Sequence, residues 1–272
     1  MMKNIYILVL MLISISLYSC SKSGKLNDYG FSGSVISKTD TTYNVIFKFG
    51  NPQKGEIENV VETSFDENGR DTLACNYDKN GKLISFIETK RKNNGDVSQQ
   101  IEYIIQDFPN MKSKYKSIET ENYSYQKKEG KTVGIVIRSK VEEENPDSTK
   151  NSDLEPDTYI YEKTQKIEFR YGKIPTNFKV KTEDYSVSFM DDHDRIVKSF
   201  DNYGVWEAGY DEKGLLVSSA YSSYDNTQAS KYFYEYEFDC NGNVNKRTIY
   251  KTEGNKKNAV QYITTSYKYN TK

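Results

Sequence analysis

Cys20 is the residue whose chemistry is best defined by its neighbours. Lys3 supplies a positive start, Ile5 to Leu17 supply an apolar run, and the small Ser19 stands immediately before the cysteine. That order reads as a secretion signal. It is too short for a spanning helix, which needs roughly 20 apolar residues. Cleavage after Ser19 would leave Cys20 as the new N-terminus, with its thiol placed for acylation. One acyl chain holds a protein to a bilayer only marginally, whereas more than one holds it stably. The sequence therefore predicts a signal peptide over residues 1–19, lipidation at Cys20 and a tether over 20–28. Within that tether, Ser21-Lys22-Ser23-Gly24-Lys25 is polar and flexible. It lacks an acidic run, which favours an outer-membrane anchor facing the periplasm.

The remaining candidate chemistry is sparse. His193 is the single histidine and lies among Asp191, Asp192 and Asp194. A zinc site wants three or four ligands, and a calcium loop wants a glycine that this segment lacks. An exposed polar turn is the expected reading. A Ser-His-Asp site would have to use His193, and no Gly-x-Ser-x-Gly elbow is present. Phosphate-cradling glycine patterns are also missing. Glycosidases need only two carboxylates, and among 39 acidic residues a pair can always be found, so that count discriminates nothing. No catalytic residue, metal or cofactor is expected. Cys75 and Cys240 fall in distant segments with no spacing that demands a bond, so their pairing stays open. A net charge of −1 gives no electrostatic case for nucleic acid.

Tyrosine is the compositional anomaly. The chain holds 24 tyrosines and one tryptophan at a mean hydropathy of −0.81. Tyr covers apolar area with its ring while its hydroxyl stays in water. Tyr232, Tyr234 and Tyr236 alternate along one strand face, and with Trp206 they are the candidates for stacking on a ligand. The competing role for such residues is cross-strand packing.

A repeated turn positions these side chains. An aromatic residue, Asp, two variable residues and Gly recur at Phe65–Gly69, Tyr77–Gly81, Phe200–Gly204, Tyr210–Gly214 and Phe238–Gly242. Met190-Asp191-Asp192-His193-Asp194 is a degenerate copy. Asp opens a turn by accepting backbone N–H groups, and Gly supplies the positive φ that closes it. Spacings of 10–12 residues leave strands of ordinary length. The pattern predicts an all-β antiparallel meander of many short hairpins, about fourteen to sixteen strands, forming an open single-layer or partly rolled sheet. The domain would cover 29–272. A proline-containing acidic stretch at about 142–157 reads as a solvated loop.

The tetrapeptide Leu17-Tyr18-Ser19-Cys20 resembles the bacterial lipobox. The aromatic-Asp-x-x-Gly hairpins resemble YD repeats, also called RHS repeats, over most of 29–90 and 185–250. Together these segments are similar to YD-repeat envelope lipoproteins of the Bacteroidota. The resemblance implies β-hairpin architecture and a binding role towards a polysaccharide or another envelope protein, without catalysis. It does not extend to the encapsulating RHS toxins, since there is no long tandem array, end motif or toxin tail. Two alternatives remain at this stage: a half-barrel carrier of lipid or lipoprotein, and a glycan-degrading enzyme.

Overall fold

The structure, a computed structural model, describes residues 34–105, 115–143, 158–176, 178–180, 182–254 and 256–270. Cys20, the signal, the tether and all but the first two residues of the acidic stretch lie outside them. Fifteen strands account for almost everything described: β1 (Val35–Lys48), β2 (Asn51–Phe65), β3 (Asp71–Asp78), β4 (Leu83–Arg91), β5 (Val97–Ile105), β6 (Tyr115–Lys128), β7 (Lys131–Glu143), β8 (Thr158–Tyr171), β9 (Tyr185–Met190), β10 (Ile196–Phe200), β11 (Gly204–Tyr210), β12 (Leu216–Ser223), β13 (Ala229–Phe238), β14 (Val244–Glu253) and β15 (Lys256–Tyr269).

The predicted turns form where the repeat places them. In five of them one Asp Oδ1 accepts two backbone N–H groups at 2.8–2.9 Å, from the residues two and four further on. The acceptors are Asp66, Asp78, Asp191, Asp211 and Asp239. Gly69, Gly81, Gly214 and Gly242 take φ of 77–83°. The turn at Asp201 departs from this scheme. There Asp201 accepts from Tyr203 and Gly204, and Gly204 begins β11 without a positive φ. Its glycine answers to space instead, because a Cβ would sit 2.4 Å from the Ser222 carbonyl oxygen.

Four carboxylates, one of them in a repeat turn, make stability depend on acid. Asp191 is held down to about 2, chiefly by the Arg195 side chain, and Asp225 to about 2, chiefly by the Ser223 hydroxyl. Glu168 and Glu235 are lowered, first by Arg170 and Lys257 respectively. Unfolded carboxylates take up protons near pH 4, and these folded ones resist until lower pH. Their contribution is therefore complete above about pH 5 and fades as pH falls from about 4 towards 2. Urea midpoints should be level through neutral pH and drop below about pH 4. A midpoint that held steady into that acid range would remove these groups from the account.

The strands pair in sequence order, and β15 then pairs with β1 antiparallel from Val35↔Tyr269 to Tyr43↔Tyr262. The sheet is a single layer, but it is closed rather than open or partly rolled. Closure gives the first and last strands each other's free edge, which removes the exposed hydrogen-bonding groups of an open meander. One join is parallel. β8 and β9 run the same way, and the chain returns between them through residues 172–184. Elsewhere neighbours are antiparallel.

Alternation divides every strand between an inner and an outer face. On β6, Glu121, Tyr123 and Tyr125 are half-buried, while Asn122, Ser124 and Gln126 are exposed. On β8 Lys163, Gln165 and Ile167 are likewise covered, and Glu162, Thr164 and Lys166 are not. β13 repeats the split, with Tyr232, Tyr234 and Tyr236 covered and Lys231, Glu235 and Glu237 exposed. The covered set shares one face through the register and is the concave inside of the barrel, where side chains converge. The apolar cluster lies on the other face. The 172–184 crossover lays Phe178 and Val180 against Val187, Phe189 and Phe200, outside β9 and β10.

Strand direction sorts the turns onto two rims. Ser34 and Asn270 meet at one rim, where the Asn270 N–H donates to the Ser34 carbonyl at 2.9 Å. The turns at 66–70, 92–96, 129–130, 191–195, 211–215 and 239–243 share that rim.

Candidate functional site

The inner face of β11, β12 and β13 brings the predicted aromatics together. Trp206 pairs with Tyr221, and Ser219 pairs with both Ala208 and Tyr232. Tyr232, Tyr234 and Tyr236 continue along β13 on that same face. Small residues at 208 and 219 leave the backbone low between the larger rings. Ser219 is buried, and its hydroxyl meets the Tyr234 hydroxyl at 2.9 Å.

Several inner tyrosines were not singled out by the sequence. Tyr221 lies beside Trp206 through the register. Tyr210 donates to the Ile196 carbonyl at 3.0 Å and Tyr267 to the Val244 carbonyl at 2.7 Å, just as Tyr236, which the sequence did single out, donates to the Leu216 carbonyl at 2.7 Å. These hydroxyls brace the wall, so cross-strand packing is part of what the aromatics do. Burial raises the pKa of Tyr210, Tyr236 and Tyr267, and all three remain neutral donors at ordinary pH. The signal that could have found them is alternation. Each lies an even number of residues from another inward aromatic on its own strand or opposite one across the ladder.

Polar groups complete the inner face. Arg247 pairs with Tyr236 in the register, and its Nε is buried without a partner. Further round the barrel, Lys38 meets Asp40 at 2.8 Å, Lys140 meets Glu119 at 3.5 Å, and Arg138 pairs with Glu121, which also accepts from Tyr123. The interior thus offers flat aromatic rings together with paired charges of both signs. Such a lining suits a ligand with both C–H faces and hydroxyl groups.

The other residues considered from sequence lie apart from this wall. His193 sits in the β9–β10 turn, exposed, with its N–H bonded to Asp191. Cys75 and Cys240 are both free, one on β3 and one in the β13–β14 turn, separated round the barrel by β2, β1, β15 and β14. Among the described residues no group of His, Cys, Asp and Glu is arranged to hold a metal ion.

Fold and inner wall define a closed, single-layer β-barrel with a polar, tyrosine-lined interior. No protein-family profile and no curated protein matches the chain. Among solved structures, a porin-like protein from Bacteroides uniformis ATCC 8492 aligns with a TM-score of 0.34 at 8% identity. The alignment covers 88% of this chain and 98% of that one.

Proposed function

We propose that the protein is a lipid-anchored envelope barrel that binds a polysaccharide along its inner tyrosine wall and catalyses nothing. The observation that carries this reading is the convergence of Trp206, Tyr221, Tyr232, Tyr234 and Tyr236 on one concave face. Sugar rings stack on such surfaces through their C–H faces and exchange hydrogen bonds at their edges.

The outer wall argues for a barrel in water rather than in lipid. It carries exposed Glu162, Lys166, Lys231 and Glu235 between the rims, and ion pairs such as Lys246 with Glu237 at 2.6 Å and Lys257 with Glu235 at 2.6 Å. A lysine facing lipid at the bilayer midplane costs about 2–4 kcal/mol. Attachment through acylated Cys20 would instead hang the barrel from the rim where Ser34 enters, leaving the opposite rim free. The inner ion pairs count against a lipid carrier, since acyl chains would leave those charges desolvated.

Retention of the purified protein on immobilised envelope polysaccharides tests the proposal. Tyr232→Ala combined with Trp206→Ala should weaken retention about tenfold or more, with an unchanged circular dichroism spectrum. Equal retention by the double variant would move the ligand away from this wall, and turnover of any polysaccharide would contradict the non-catalytic reading.

A further inference from the structure

A cleft of about 410 Å³ opens at the rim that carries the chain ends, between the β6–β7 hairpin and the ends of β8 and β9. Tyr125, Phe169, Tyr171 and Met190 supply its apolar lining, and Asp96 and Lys127 its charged edge. The volume lies in the range of small-ligand sites. Its sheet position is separate from the wall on β11–β13.

Tyr171 is the informative member. Tyr171 is 57% exposed, yet its hydroxyl donates to Asp194 Oδ1 at 2.6 Å. Asp194 occupies the turn position that glycine fills at 69, 81, 214 and 242, and it does so with φ of 59°. A side chain is less at ease there than glycine. Here the carboxylate holds an exposed aromatic ring at the lip of a cleft, which the smaller residue could not do. The degenerate copy of the repeat is thereby the one that carries a contact to the cleft.

We propose that this cleft is a subsite for a single sugar unit, stacked on Tyr171 and Phe169 and hydrogen-bonded by Asp96 and Lys127. The proposal rests on the polysaccharide reading and adds the place where a chain end or branch would seat. Aromatic rings match the C–H face of a pyranose, while a carboxylate and an ammonium together accept from and donate to its hydroxyls. Lys92 over Tyr125 and Asp194 on Tyr171 add one further charge of each sign beside Asp96 and Lys127, a mixed edge rather than one of a single sign.

Methyl glycosides of glucose, galactose and N-acetylglucosamine are suitable probes. Saturation-transfer NMR reads binding, and emission from Trp206, the only tryptophan, reports separately on the inner wall. At least one glycoside should bind without changing Trp206 emission. Tyr171→Ala and Phe169→Ala should each weaken that binding about tenfold. Asp194→Gly should weaken it severalfold while the thermal midpoint holds or rises, a combination that a merely structural role would not produce. Wild-type affinity in both aromatic variants overturns the subsite. If glycosides then bind in a way abolished by Tyr232→Ala, the polysaccharide reading survives without the cleft. Failure of every glycoside and every polysaccharide to bind removes both.

Discussion

Phe200→Ala is expected to lower the free energy of unfolding by about 3–5 kcal/mol. Phe200 is 3% exposed and meets Phe178 at 5.1 Å and Phe189 at 5.9 Å, both edge-to-face. Val187, fully buried, completes the base of the cluster. Such edge-to-face pairs contribute beyond their buried area. The cluster also performs a topological task. Because β8 and β9 are parallel, residues 172–184 must cross the barrel's length on the outside, and Phe178 and Val180 are what fasten this crossover down. A truncated Phe200 should loosen the crossover before the barrel opens. Urea unfolding should show the loss in midpoint, and limited proteolysis should show new cleavage within 172–184. Phe47→Ala, at a well-exposed position on β1, should change neither. A Phe200→Ala protein with the parental midpoint would mean that the crossover is held by something other than this cluster.

Asp239→Ala should be the most damaging change in any repeat turn, at about 2–3 kcal/mol. Its Oδ1 accepts from the N–H groups of Asn241 and Asn243 at 2.9 and 2.8 Å. As the Asp191 turn is tied to β8 through Tyr171 and Asp194, this turn is tied to β15, at the closing seam. The Tyr269 hydroxyl accepts from Asn243 Nδ2 at 2.7 Å and lies 3.3 Å from Asp239 Oδ2. Asn243 is 1% exposed, so losing these partners leaves polar groups without water to replace them. Tyr269 belongs to β15 and pairs with Val35 across the closing seam. The turn therefore supports the place where the chain's two ends meet. Asp239→Asn keeps an acceptor for both N–H groups and should cost under about 1 kcal/mol, as should Asp66→Ala in a more exposed turn. Thermal denaturation of the three variants checks the order, and equal losses would show that the link to β15 contributes nothing.

Local chemistry made much of this barrel readable from the chain alone. Gly204 apart, which answers to Ser222 on the next strand, the Asp and Gly of the repeat shape their turns within five residues, so Asp66, Asp78, Asp211 and Asp239 announce their turns without help from elsewhere. Spacing between turns then gives strand length, and against the expected fourteen to sixteen strands the described residues form fifteen. Side-chain alternation placed Tyr232, Tyr234 and Tyr236 on one face. It could not say that the face is concave, nor that Trp206 joins it, because that depends on the register across β12.

Closure was equally hidden. Val35 and Tyr269 are partners at opposite ends of the chain, and an open sheet would have the same composition, periods and turns. The parallel step from β8 to β9 was also missed, since Gly172 and Pro175 mark a break but nothing local says that the next strand runs the same way; that shows only in the packing of the crossover on Phe189 and Phe200. By itself, the sequence determined where the chain bends and which residues alternate, because those outcomes are settled by neighbours. Tertiary structure alone decided which face is enclosed, that β1 meets β15, and that Tyr171, Phe169 and Asp96 share a cleft, because each requires strands far apart in sequence to find one register.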